Sequence, residues 1–461
     1  MAIEATFARS GRSGRHRCGG GGGRRALWLG VCLWVALSAF SCTTSAQQSA
    51  PPTVAAAPRA TPELDAISGN PAATTATLGT GWLGRTLGLR DEWGIVLGGL
   101  WLADTNLVVA GGAQPGGWTN NSAFFLALSV DAAKLVDWRG ASFGFQFLQL
   151  NGANTNGEAG SVQGYNGIVG SPPFQRTELF QAWYEQVMVP EILKMRIGRS
   201  APTFDFNNVM RPVALADSAQ RIPTLSSLLY APIFVNGSIL GALPGYYNSG
   251  DGVTVNFTPS KSFYLNLGVY GGNLARGVQT GISPPEFNGY YFNIGEIGTN
   301  WVLGEERHPG QVAIGLWRQT GLLSAAGVTQ DGTGGVYMFA SQRVARGLNR
   351  QVDYSSINVF GQFGINDSQT LPITQYYGAG VTAFAPLGER ARDSMGIGAA
   401  LSRLNPLLFA RSYELMLQAY YQAHLFGDTF LQPTLSFIPA PGAAPNLPSA
   451  VAATLRLSVL F

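Results

Sequence analysis

Few residues in this sequence could carry out chemistry. Of its three histidines, His16 falls in an arginine-rich leader, His308 precedes Pro309 in a predicted turn, and His424 lies on the polar side of a predicted strand. The one Gly-x-Ser-x-Gly match, Gly140-Ala141-Ser142-Phe143-Gly144, leads into a predicted strand instead of turning from a strand into a helix, so it is no nucleophile elbow, and there is no His-Glu-x-x-His helix, phosphate loop or paired-cysteine motif. Gly396-Ile397-Gly398 falls inside a strand pattern, where it cannot open a helix onto a dinucleotide. A barrel lipase would need His424 beside an unidentified serine, whereas a histidine at the lumen or rim needs no partner of that kind. The remaining candidates are polar side chains at alternate positions. On 177–187, Gln181, Trp183 and Glu185 share one parity; on 192–199, Lys194 and Arg196 do, with Met195 and Ile197 on the other. A short turn at 188–191 pairs these segments antiparallel and brings Glu185 near Lys194 or Arg196. Aromatic rings flanked by opposed charges suit a neutral polyhydroxylated solute, because hydroxyls bond to charged groups and sugar faces lie on rings. An ion-pair ladder that only braces a wall would use the same residues. Glu414, Gln418, Gln422 and Arg456 have the same inward parity on later segments.

These side chains have to be placed by strands. From about Gly94 onward the dominant pattern is alternation with period two, in segments separated by Gly, Asn, Asp and Pro clusters. Val253, Val255 and Phe257 alternate with Thr254, Asn256 and Thr258; after a turn, Phe263, Leu265, Leu267 and Val269 alternate with Tyr264, Asn266, Gly268 and Tyr270. Tyr413, Leu415, Leu417, Ala419 and Tyr421 oppose Glu414, Met416, Gln418, Tyr420 and Gln422 in the same way, with a turn at Gly427-Asp428 before the next strand. About sixteen such segments are predicted, at 95–109, 122–131, 141–150, 177–187, 192–199, 251–258, 262–270, 289–303, 311–319, 335–344, 355–364, 374–385, 394–404, 411–425, 429–438 and 451–461. Roughly that many strands enclose an aqueous channel, whereas about eight would be filled by side chains.

Composition identifies the solvent around those strands. Charged residues make up 12% of the chain, against roughly 25% in soluble domains, and there are 60 glycines. The apolar faces end in aromatics such as Tyr413, Tyr421, Phe437 and Phe461, as membrane girdles require. The polar faces are Gln, Asn, Thr, Ser and Tyr, which suits a confined wet lumen. These features favour a transmembrane antiparallel β-barrel of about 16 strands, all-β, over a soluble sandwich.

Residues 1–46 read as a cleaved signal peptide: six arginines, an apolar run from Ala26 to Phe40, then Thr44-Ser45-Ala46. The leader takes all three cysteines with it, so no disulfide is expected in the remainder. It also takes the source of the formal charge of +3, leaving a slightly acidic chain with no nucleic-acid footprint. Residues 47–92 are an Ala/Pro/Thr/Ser-rich lead-in with a possible short helix near its end, and 93–461 form the barrel. No cofactor or metal is called for. The stretch 200–250 interrupts the strand pattern with Asp205, Arg211, Asp217 and Arg221, and is expected to fold inward as a constriction loop.

Several segments resemble one family. Arg176-Thr177-Glu178-Leu179-Phe180-Gln181-Ala182-Trp183-Tyr184-Glu185-Gln186, then Leu193-Lys194-Met195-Arg196-Ile197-Gly198, Phe234-Val235-Asn236-Gly237-Ser238 and Tyr264-Leu265-Asn266-Leu267-Gly268-Val269-Tyr270 occur in the order seen in OprB-type carbohydrate-selective porins. The match returns in 414–425, in Phe430-Leu431-Gln432-Pro433 and in the terminal strand. The resemblance implies an outer-membrane barrel that passes sugars and other small solutes passively, with outer-membrane lipid around it. The terminal strand ending in Phe461 would engage the barrel-assembly machinery. A general or ion-conducting porin, a lipid hydrolase and a structural barrel are the competing functions.

Overall fold

The computed structural model describes residues 82–461, apart from 169–173, 203–204, 208, 210–235, 240–248, 261, 272–289, 305–307, 348 and 350–354. Residues 1–46, and 47–92 as far as residue 81, lie outside that range; a five-residue helix at Trp82–Thr86 precedes the barrel. The first strands are β1 (Ile95–Ala110), β2 (Trp118–Asp131), β3 (Ala141–Asn151), β4 (Arg176–Val189), β5 (Leu193–Ser200) and β6 (Gly250–Ser260). β7 (Phe263–Gly271), β8 (Tyr291–Leu303), β9 (His308–Ala325), β10 (Val328–Arg346) and β11 (Ser356–Asn366) follow. β12 (Ile373–Phe384), β13 (Ser394–Leu404), β14 (Tyr413–Phe426), β15 (Thr429–Ile438) and β16 (Ala450–Leu460) complete the set. Each strand pairs antiparallel with the next, and β1 pairs with β16, so all sixteen close into one barrel.

Every segment expected from periodicity is a strand. The main difference is in β9 and β10, which run far beyond 311–319 and 335–344 to a two-residue turn at Ala326 and Gly327. Both turn residues have positive φ, 47° and 82°, as tight hairpins whose twist matches the strands require. Gly321, Gly332, Gly334 and Gly335 dilute the alternation there, which hid the extension.

Burial follows the alternation. On β14, Glu414, Met416, Gln418, Tyr420 and Gln422 are buried while Tyr413 and Leu417 are exposed. The exposed parity is the lipid face, where a basic side chain at mid-depth would cost about 2–4 kcal/mol. This explains the low charge content: charges are rare on that parity, and those it carries, such as Arg318 and Arg403, sit near the long-connection ends of their strands and not at mid-depth. Connections at the end where β1 begins and β16 finishes are short, including 190–192 and 427–428, whereas the other end carries 152–175 and 201–249. Short turns face the periplasm and long loops the exterior. At the short-turn end, Trp138 packs against Phe143 and Tyr184 with ring centroids 6.0 and 5.5 Å apart, part of an aromatic girdle.

Closure depends on Gly99 and the last residue. The Gly99 and Phe461 backbones exchange N–H···O bonds of 2.7 and 3.0 Å. The Phe461 ring occupies the space a Cβ on Gly99 would need, and stacks on Phe124 at 5.4 Å.

Candidate functional site

Among the described residues, stretches of two connections lie against different regions of the inner wall. The first is 152–175, between β3 and β4. Glu414 on β14 accepts hydrogen bonds from the Ser161 hydroxyl (2.6 Å) and from the backbone N–H of Val162 and Gln163 (both 2.9 Å) and of Gly442. Gln418 donates to the Tyr165 carbonyl at 3.0 Å. Arg456 on β16 forms a two-pronged pair with Asp104 on β1, both contacts 2.6 Å, and Asn166 donates to Asp104 (2.7 Å) and Asn106 (2.8 Å). Tyr165, buried in this segment, has its hydroxyl pKa pushed up, first by burial and then by the charges of Glu158 and Asp104.

This arrangement changes the reading of four sequence candidates. Glu414, Gln418, Gln422 and Arg456 point inward, but their exposures are 0, 1, 0 and 2%. Glu414, Gln418 and Arg456 are spent on anchoring 161–168 or pairing Asp104, and Gln422 accepts from Ser394 at 3.1 Å. Parity put them on the inner face but gave no sign that the connection would cover them.

The second inward segment follows β5. Arg196 and Glu185 are register partners on β5 and β4. One guanidinium nitrogen of Arg196 lies 2.7 Å from Glu185, another 2.8 Å from Asp205, and Lys194 reaches the same Glu185 oxygen at 3.4 Å. Asn256 donates to the Asp205 carboxylate (3.2 Å) and Asn266 to its carbonyl (2.8 Å). Two residues on, the Asn207 N–H donates to Glu296 on β8 (2.6 Å), which also accepts from Tyr264 (2.9 Å) and Tyr337 (2.7 Å). Gln311 donates to the Val209 carbonyl (2.8 Å). Further along the same connection, Asn236 donates to the Phe363 carbonyl and Asn366 to the Ser238 carbonyl, which places 236–239 on the β11–β12 wall. Arg211, Asp217 and Arg221 lie outside the described residues.

Here one part of the ladder stays wet. The Lys194 side chain is 37% exposed and Glu185 14%, against 5% for Arg196 and 2% for Asp205. Trp183 is not the free stacking platform suggested by the sequence: its indole rests on Gly144, where a Cβ would collide, and the Arg196 guanidinium sits 4.9 Å from its ring centroid. Trp183 therefore positions Arg196. Gln181 is buried and donates to Gln146 at 2.6 Å.

Simple alternation missed Arg176 and Glu178, which are buried on the inner face 3.4 Å apart. The β3–β4 register shifts between Gln146 and Phe147, so that Phe180 and Gln181 are both buried and the inward parity switches. Asp104 and Glu296 were legible in principle, since a carboxylate inside an otherwise apolar strand must face the lumen. His424 is tied into the short-turn end: its N–H donates to Asp393 at 2.8 Å, and Nε2 lies 2.8 Å from the Gly427 carbonyl and 3.1 Å from Arg392.

A closed sixteen-stranded barrel with an apolar outer face, a polar inner face and connections folded into it is an outer-membrane porin. Comparison with known proteins narrows the class. A sequence model described as "Carbohydrate-selective porin, OprB family" matches residues 117–461. The chain belongs to this family, whose members are channels and not enzymes. Porin B of Pseudomonas aeruginosa is 22% identical over 396 residues, covering 73% of this chain and 81% of that protein. The high-pH structure of Pseudomonas putida OprB superposes with a TM-score of 0.70 at 17% identity, covering 83% of this chain and 99% of its own. The low-pH structure of the same protein gives 0.52 at 14% identity, covering 86% and 100%.

Proposed function

We propose that carbohydrates crossing this outer-membrane porin contact the β4–β5 wall, with Glu185 and Lys194 as the groups that meet solute hydroxyls. The observation that carries this reading is the exposure of Lys194 and Glu185 beside fully buried partners. Arg196, held by Trp183, Glu185 and Asp205, fixes the carboxylate that solutes meet; Asp205 ties the inward segment to the wall. Charge-assisted hydrogen bonds to hydroxyls are strong enough to select yet exchange quickly, as passive flux requires. Planar-bilayer recording tests this. A neutral hexose should reduce the ion current through the wild-type channel, and Glu185→Gln with Lys194→Ala should weaken that block. No block by any sugar would instead favour a general or ion-conducting porin.

Assembly is the second part of the proposal. The alternating β16 strand and terminal Phe461 act as the signal read by the barrel-assembly machinery. Because Phe461 also packs on Phe124, the test compares two settings. Phe461→Ala should lower the assembled fraction in cells while still refolding in detergent; equal assembly in cells would refute the assignment.

A further inference from the structure

A trough of about 630 Å³ lies on the outer face of the barrel, across β14, β15, β16, β1 and the start of β2. Two adjacent cross-strand rows form it. One runs from Ala419 through Leu435 and Ala453 to Leu107, ending on Trp118. The other runs from Pro433 through Leu455 to Thr105, with Tyr421 at its β14 end and Asn120 at its β2 end. Large and small side chains alternate, so Ala419, Ala453 and Pro433 keep the floor low while Leu435 and Leu455, 54 and 46% exposed, stand as its walls. At about 4.8 Å between strands the rows extend roughly 19 Å. With strands tilted by about 35–45° such a row drops roughly 11–14 Å, close to the depth of about 15 Å that one leaflet contributes to the hydrocarbon core.

The direction of the trough matters. Trp118 opens β2 at the end with the long connections, whereas Pro433 and Leu455 lie near the middle of their strands. The trough therefore descends from the outer-leaflet interface towards mid-membrane. Its mouth is polar: Thr105 Oγ1 donates to Asn120 Oδ1 at 2.9 Å, on the lipid-facing parity, which leaves the Asn120 amide N–H groups to bond outside the chain. A tryptophan and an amide donor at interface depth, above an apolar channel, match a lipid ester carbonyl with its chain below. A second copy of the barrel would bring an apolar lipid face against that amide and leave it unsatisfied.

We propose that this trough binds one acyl chain of an outer-leaflet lipid, with Asn120 donating to the ester carbonyl. The test uses purified full-length barrel, delipidated in mild detergent, titrated with lipid A and analysed by native mass spectrometry. Ala453→Phe fills the trough from the lipid side and should weaken lipid A retention about tenfold, or about 1.4 kcal/mol. Asn120→Leu should weaken it in the same direction. Ala379→Phe, on the lipid face of β12 away from the trough, should retain lipid as wild type does and controls for folding. Equal retention by wild type and Ala453→Phe overturns the proposal. So does a change from oligomer to monomer on Ala453→Phe without loss of lipid, which would assign the trough to a second copy.

Discussion

The two inward segments are held by the same two devices and differ in what surrounds them. Each has a buried carboxylate that accepts from the backbone of the segment, Glu414 from Val162 and Gln163 and Glu296 from Asn207, and each lies beside an arginine–aspartate pair. In the first, Asp104 and Arg456 both belong to the wall and are 0 and 3% exposed, so the pair is sealed behind the segment. In the second, Asp205 belongs to the segment and Arg196 to the wall, and the ladder continues outward through Glu185 to a partly exposed Lys194. Identical chemistry therefore has different uses. A sealed pair holds position, and a pair that continues into water can also meet a solute.

The largest effect should come from breaking the sealed pair. Asp104→Ala strands Arg456 without its carboxylate in a buried site and should cost about 3–5 kcal/mol, measured by urea unfolding of the refolded barrel. Glu414→Ala leaves the Ser161 hydroxyl and three backbone N–H groups without their acceptor and should cost about 1–3 kcal/mol. It should also release 161–168 from the wall, raising single-channel conductance. On the open side, Glu185→Gln should cost less than either, because Arg196 keeps Asp205 and Lys194 keeps water. Lys194→Ala should leave stability unchanged within error and alter only sugar block and ion selectivity. If Lys194→Ala destabilises as much as Asp104→Ala, the distinction between the two regions fails.

The contrast also shows how much of the molecule is legible in sequence. Period-two alternation located all sixteen strands, since it is imposed by lipid on one side and water on the other. The Glu185–Lys194–Arg196 ladder was legible too, because a three-residue turn ties β4 to β5 and sets their register locally. The covering of Glu414, Gln418 and Arg456 was not, because it depends on contacts such as Ser161 to Glu414, separated by 253 residues. Arg176 and Glu178 were hidden by a bulge, which shifts parity without a distinctive residue to mark it. Trp183 was recognised as inward, but its neighbour Arg196 claimed the ring.

Hexose block of ion current in planar bilayers tests the central claim most directly, comparing wild type, Glu185→Gln with Lys194→Ala, and Gln418→Ala. The open wall as the solute contact predicts block in wild type, a weakened block in the double variant, and unchanged block in Gln418→Ala, whose side chain is sealed behind Tyr165. Block that survives the double variant and is lost in Gln418→Ala would contradict it.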